Sequence, residues 1–198
     1  MKVQKGKSGD KDDDADDIVS FKAMNIDAAY INSFKAVGLT DIPHEQLVSF
    51  KAVGVTPEYI RSWQVLGFKD IEPEHFVGMK SQNVTPEYMK SFTDLGYKIG
   101  PEELVAFRAL GITPEFIKTF EAAGYKNIDA DELPALKSLG ITPEFIKSFE
   151  AVGFKDIDLD EIVSVKAMGV TPEYIKDMRA KGFNFDKLQK YVTLKSID

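Results

Sequence analysis

The sequence predicts an all-α protein, an α-solenoid of about six two-helix repeats, and three observations carry that prediction. One phrase, VTPEYI or a near copy, returns every 28 or 29 residues. Glycine or asparagine punctuates the chain at twelve positions, and an apolar residue follows each one. No segment alternates apolar and polar residues with period two over the length of a strand, so no sheet is expected.

The repeated phrase starts at Thr56, Thr85, Thr113, Thr142 and Thr171, and an earlier copy, NIDAAYINSF, places Asp27 in the same role 29 residues before Thr56. Each unit holds an A-type helix, such as TPEYIRSWQVLG (Thr56 to Gly67), and a B-type helix, such as DLDEIVSVKAMG (Asp158 to Gly169). The A-type start is explicit. Thr or Asp offers a side-chain oxygen to a free N–H of the first turn. Pro usually follows, at the one helical position where a missing N–H is harmless. Glu58, Glu87, Glu115, Glu144 and Glu173 then face the positive end of the helix dipole. Two B-type starts read as capping boxes, Asp129 with Glu132 and Asp158 with Glu161.

The stops fall at Gly 38, 54, 67, 96, 111, 124, 140, 153, 169 and 182 and at Asn25 and Asn83. These residue types tolerate the left-handed conformation that ends a helix. The residue after each is apolar, from Ile26 and Leu39 to Phe183, and so is the residue four places before, such as Phe21, Phe34, Phe50 or Trp63. That pair is the hydrophobic clasp of a Schellman motif. With an opening helix at about Asp16 to Met24 and a closing one at about Phe185 to Lys195, thirteen short helices are expected.

A helix of about ten residues is marginal alone in water. Each one here carries a single apolar stripe, for example Tyr59, Ile60, Trp63 and Leu66, or Leu47, Val48, Phe50 and Val53. Neighbours must therefore stack and share a core. The expected organisation is a disordered charged segment over residues 1–15 and a helical repeat domain over 16–198. Three departures interrupt the regularity. The third unit is one residue short between Gly96 and Pro101; Gly78 falls inside a helix; Pro134 falls where it should bend or delay the helix after Asp129. They read as drift, or as sites where the array curves unevenly to shape a binding face.

Composition narrows the function. The 198 residues carry a net charge of −7, which disfavours nucleic acid as a partner. No cysteine is present, so disulfides, thiolate metal sites and cysteine nucleophiles are excluded. No apolar run reaches membrane-spanning length and the N-terminus lacks the apolar stretch of a secretory signal, so a soluble chain is expected, with its compartment left open. His44 and His75 are not at equivalent repeat positions and have no further ligands at metal spacing. The run Asp10 to Asp17 lacks the glycine and terminal Glu of a calcium loop and reads as an acidic linker. No nucleophile with a base and no phosphate loop is visible. No catalytic residue, metal or cofactor is expected, and the chain is not expected to be an enzyme.

Two side-chain rows remain. Lys22, Lys51, Lys80, Arg108, Lys137 and Lys166 sit three residues before each B-type stop. They read as cations at negative helix ends, or as a basic stripe for an acidic partner. Tyr30, Tyr59, Tyr88, Phe116, Phe145 and Tyr174 form an aromatic row that reads as core.

The units ITPEFIKSFEAVGF and GVTPEYIKDMRAKGF resemble the repeats that follow the peptidase region of bacterial membrane metallopeptidase sensors of the beta-lactam-response antirepressor type. The similarity covers roughly residues 18 to 195 and the repeats only; the peptidase's zinc-binding HExxH is absent, so no protease activity carries over. The resemblance implies a bacterial repeat region serving sensing or protein interaction. The expected function is a non-catalytic interaction or scaffold module whose partner is a protein or peptide. The alternative is a sensor domain that takes a small ligand in a groove. A broad shallow face would favour the first and a deep apolar pocket the second.

Overall fold

A computed structural model describes residues 19–197. The charged segment 1–15, the run Asp10 to Asp17 and the start of the opening helix lie outside them. The described residues form thirteen α-helices and no strand. Residues 19–23 are helical (α1) and are followed by α2 (Ala28–Ser33), α3 (His44–Val53), α4 (Pro57–Val65), α5 (Pro73–Ser81), α6 (Pro86–Thr93) and α7 (Pro101–Leu110). Then come α8 (Pro114–Ala122), α9 (Leu133–Ser138), α10 (Pro143–Ser148), α11 (Leu159–Ala167), α12 (Pro172–Ala180) and α13 (Leu188–Lys195). The even-numbered helices are A-type. Two of them, α2 and α10, finish in 3-10 turns, Phe34–Val37 and Phe149–Val152.

All six A-type starts are capped as the sequence predicts. Asp27 accepts from the Tyr30 N–H at 2.7 Å, and Thr56, Thr85, Thr113, Thr142 and Thr171 accept from the N–H three residues on at 3.2–3.3 Å. Beside three of those caps, Glu58, Glu115 and Glu144 are held below the ordinary carboxyl range, first by their own backbone N–H and then by the threonine hydroxyl.

Every expected stop has positive φ. At each, the N–H of the following apolar residue donates to the carbonyl five residues back, from Ile26 to Phe21 through Phe183 to Met178, at 2.8–3.2 Å. The two classes of stop differ. B-type stops have φ between 52° and 76°, whereas A-type stops lie between 86° and 102°. The cause is the last turn. B-type ends keep bonds four residues back, such as Leu139 N–H to Ala135 and Met168 N–H to Ser164; A-type ends add or substitute bonds three back, as Leu66 N–H does to Trp63 and Ala123 N–H to Phe120, while Lys181 N–H shares Asp177 and Met178. Asparagine fits the first range and is strained in the second. Both asparagines, Asn25 and Asn83, are B-type.

The chain divides into two compact units, one reaching to Lys90 and including Gly100–Val105, the other comprising Ser91–Ile99 and the residues from Ala106 on. Within the first, α3 packs on α5, and α4 packs on the 3-10 end of α2. Within the second, α11 packs on α13, and α12 packs on the 3-10 end of α10. Like helix therefore stacks on like. The cores are apolar: Phe34, Leu47, Phe50, Ile60, Trp63 and Phe76 in one, Phe107, Ile117, Phe120, Leu136, Phe149 and Ile162 in the other. Each such side chain contributes about 1.5–3 kcal/mol by leaving water. Side chains also tie successive A-type helices. Gln64 Nε2 donates to the Val37 carbonyl and Arg179 Nη1 to the Val152 carbonyl, both at 2.8 Å and both spanning 27 residues.

The irregular places resolve individually. Pro134 delays its helix: α9 begins at Leu133, which puts the proline in the first turn, and Glu132 reaches back to the Asp129 N–H at 2.8 Å. That is half of the expected capping box. At Asp158 and Glu161 neither half forms, because the Asp158 side chain makes no cap bond. The short third unit still delivers Ile99 to the core, as the longer loops deliver Ile128 and Ile157. It omits the residue that those loops hold left-handed, Asn127 and Asp156. The closing helix starts later than Phe185, since the Phe185 N–H and Arg179 Nε both donate to the buried Tyr191 hydroxyl, which donates to the Phe183 carbonyl.

Two predictions follow from backbone geometry. At Gly78 an added Cβ would meet Val105 Cγ2 at an ordinary 3.5 Å, so Gly78→Ala should stabilise by about 0.5–1 kcal/mol, read as a higher midpoint in urea. Gly140 (φ 61°) should accept asparagine with little loss, whereas Gly124→Asn (φ 102°) should cost about 1–2 kcal/mol, although neither site crowds a Cβ. Equal melting temperatures for the two asparagine variants would contradict the distinction between the stops.

Candidate functional site

The lysine row and the aromatic row form one device. Lys51 Nζ lies 4.4 Å from the ring centroid of Tyr30, Lys80 4.7 Å from Tyr59, Lys137 4.8 Å from Phe116 and Lys166 4.2 Å from Phe145. Each ring stands 21 residues before its lysine, on the A-type helix that precedes the lysine's own helix in the same repeat. The ring's negative face and the carbonyl end of the lysine's own helix attract the ammonium together. Lys195 over Tyr174, at 4.7 Å, continues the series. The sequence reading missed it because α13 has no glycine stop to count back from; the 29-residue spacing from Lys166 was the available signal. Lys22 and Arg108 are exposed. The aromatic row is half-buried rather than fully interior. Tyr59 donates to the Val84 carbonyl at 2.8 Å, and burial pushes its phenol up to about 12.

A second aromatic row occupies the clasps. The apolar residue closing a B-type helix is aliphatic and buried: Ile26, Val55, Val84, Ile112, Ile141 and Val170. The residue closing an A-type helix is Leu39, Phe68, Tyr97, Tyr125, Phe154 or Phe183, and none of these is buried. Two of the rings meet an aromatic residue of their own helix edge to face, Phe68 on Trp63 at 5.9 Å and Tyr125 on Phe120 at 6.3 Å. This row was legible as a set of apolar residues but not as a face, because the distinction lies in the size and exposure of the closing side chain.

In the second unit two of these rings, Tyr125 and Phe154, border open grooves. One, of about 470 Å³, runs between Tyr125 and Phe154 beside Pro143, Glu144, Lys147 and Glu150. An adjoining shelf of about 850 Å³ shares Tyr125, Asp156 and Ile157 with it and adds Glu132, Asp158, Asp160 and Glu161. Together they present seven carboxylates and three lysines. The field at the rings is correspondingly negative. Burial raises the Tyr125 phenol first, and Asp156 and Glu150 raise it further; burial and then Glu121, Asp129 and Glu132 do the same at Tyr97.

Among the described residues no group of three or more His, Asp or Glu is placed to hold a metal ion, and none of the buried side chains is charged. His44 is exposed at the start of α3 with its ring 5.0 Å from Phe21, and His75 is half-buried in α5. No described helix is long and apolar enough to cross a membrane. No protein-family model matches the chain, and no curated protein matches it.

The lysine–ring contact can be measured directly. A double-mutant cycle on Lys166→Gln and Phe145→Leu should give a favourable coupling of about 0.5–1 kcal/mol in chemical denaturation. Additive losses would reduce the pair to coincident neighbours.

Proposed function

We propose that this chain is a non-catalytic interaction module that holds a protein or peptide partner along its A-type clasp face. The observation that carries this reading is the second aromatic row: large rings, half-exposed and repeated, two of which border grooves that are open rather than enclosed. Half-buried aromatic residues supply much contact area at little conformational cost, which suits them to protein recognition. The grooves are wide and polar at their rims, which favours an extended partner over a small ligand gripped on all sides. The lysine row is a weaker candidate for the contact surface, since Lys51, Lys80, Lys137, Lys166 and Lys195 already rest on rings of the same chain.

Affinity capture from a lysate of the source organism tests the reading. Wild type and Lys166→Gln should recover the same protein, and a variant carrying Tyr97→Ser and Tyr125→Ser should lose it while keeping its helical circular dichroism. Reproducible capture of nothing, with a thermal shift produced by a metabolite mixture, would replace the module with a small-ligand sensor.

A further inference from the structure

The A-type clasps contain an internal model of what binds them. Arg179, in α12, places its guanidinium 5.5 Å from the ring centroid of Phe154, the clasp residue of the preceding A-type helix. One repeat earlier the position equivalent to Arg179 is Glu150, and two repeats earlier it is Glu121. Glu150 lines the same groove as Tyr125. The same architecture thus covers one ring with a cation of its own and gives another a carboxylate instead. No cation of the described residues stacks on Tyr97 or Tyr125.

We infer that Tyr125 takes a lysine or arginine side chain of a basic peptide segment, with the bordering carboxylates pairing the same cation. The inference rests on the module reading above and names the partner's chemistry. A ring with a free face attracts a cation, most strongly arginine, through its quadrupole. Glu150 and Asp156, which line one groove with Tyr125, add charge complementarity. The shelf beyond Tyr125, with five carboxylates against Lys126 alone, continues the favourable potential in one direction, so an extended chain with several cations fits better than one isolated ammonium. Lys147 and Lys155 border the other groove and limit how many cations it holds.

The phenol hydroxyl has no role in this recognition; the ring and the acid do. Glu150→Arg recreates at Tyr125 what Arg179 makes at Phe154, a guanidinium stacked from within, and it does so with a residue that the fold already accepts at the equivalent position. Binding is measured with the full chain and a fluorescein-labelled peptide of alternating arginine and serine, by polarisation at physiological salt, with a glutamate–serine peptide as the control. The arginine peptide should bind and the glutamate peptide should not. Tyr125→Phe should leave the affinity unchanged, Tyr125→Leu should weaken it about tenfold, and Glu150→Arg should weaken it at least as much. Melting curves establish that each variant is folded. Equal affinities for Tyr125→Leu, Glu150→Arg and wild type would mean diffuse attraction to an acidic surface and overturn the site. No binding of the arginine peptide would also overturn it. Either result leaves the module reading to be decided by lysate capture, whose partner would then lack a basic segment at the contact.

Discussion

At twelve helix ends among the described residues the backbone turns left-handed for one residue, and the next N–H bonds to a carbonyl five residues behind it. That bond sets the length of every interior helix. It satisfies carbonyls that a helix end would otherwise bury without partners. It also brings the following apolar side chain against the one that ends the last turn. Because the helices are then too short to be stable alone, each must lie against its counterpart in the next repeat.

One difference in the last turn then separates two faces. Where the helix stays α to its end, the closing residue is aliphatic and goes inside. Where it tightens, φ opens toward 90° and the closing residue, a large ring everywhere but at Leu39, is left partly in water. The tighter turn also explains why asparagine replaces glycine only at the first kind. In the second unit two of these rings border the acidic grooves, so a local preference in hydrogen bonding decides which closing side chains stay within reach of water.

Much of this was legible in the sequence because it rests on short-range rules. Thr, Pro and Glu at helix starts and Gly or Asn at stops act within a few residues, and these starts and stops stand where the spacing put them. What escaped the reading involves contacts between helices or local competition. The lysine and ring rows were recognised separately, yet nothing within either row reveals that they meet at a separation of 21. Asp158 and Glu161 have the spacing of a capping box, but the carboxylate of Asp158 is not turned to its helix. Pro134 was flagged correctly as a delay, and Glu132 accommodates it. The groove at Tyr125 could not be anticipated, since its walls come from successive repeats.

The ties between helices have a kinetic consequence. Gln64 reaches back 27 residues, Tyr59 reaches forward 25, and each lysine meets its ring at 21. Closing loops of that size is cheap, and none of these ties waits for remote parts of the chain to meet. Assembly can therefore begin at whichever neighbouring pair first collapses and spread outward one helix at a time. A lesion in one repeat should slow that spreading locally rather than block it everywhere.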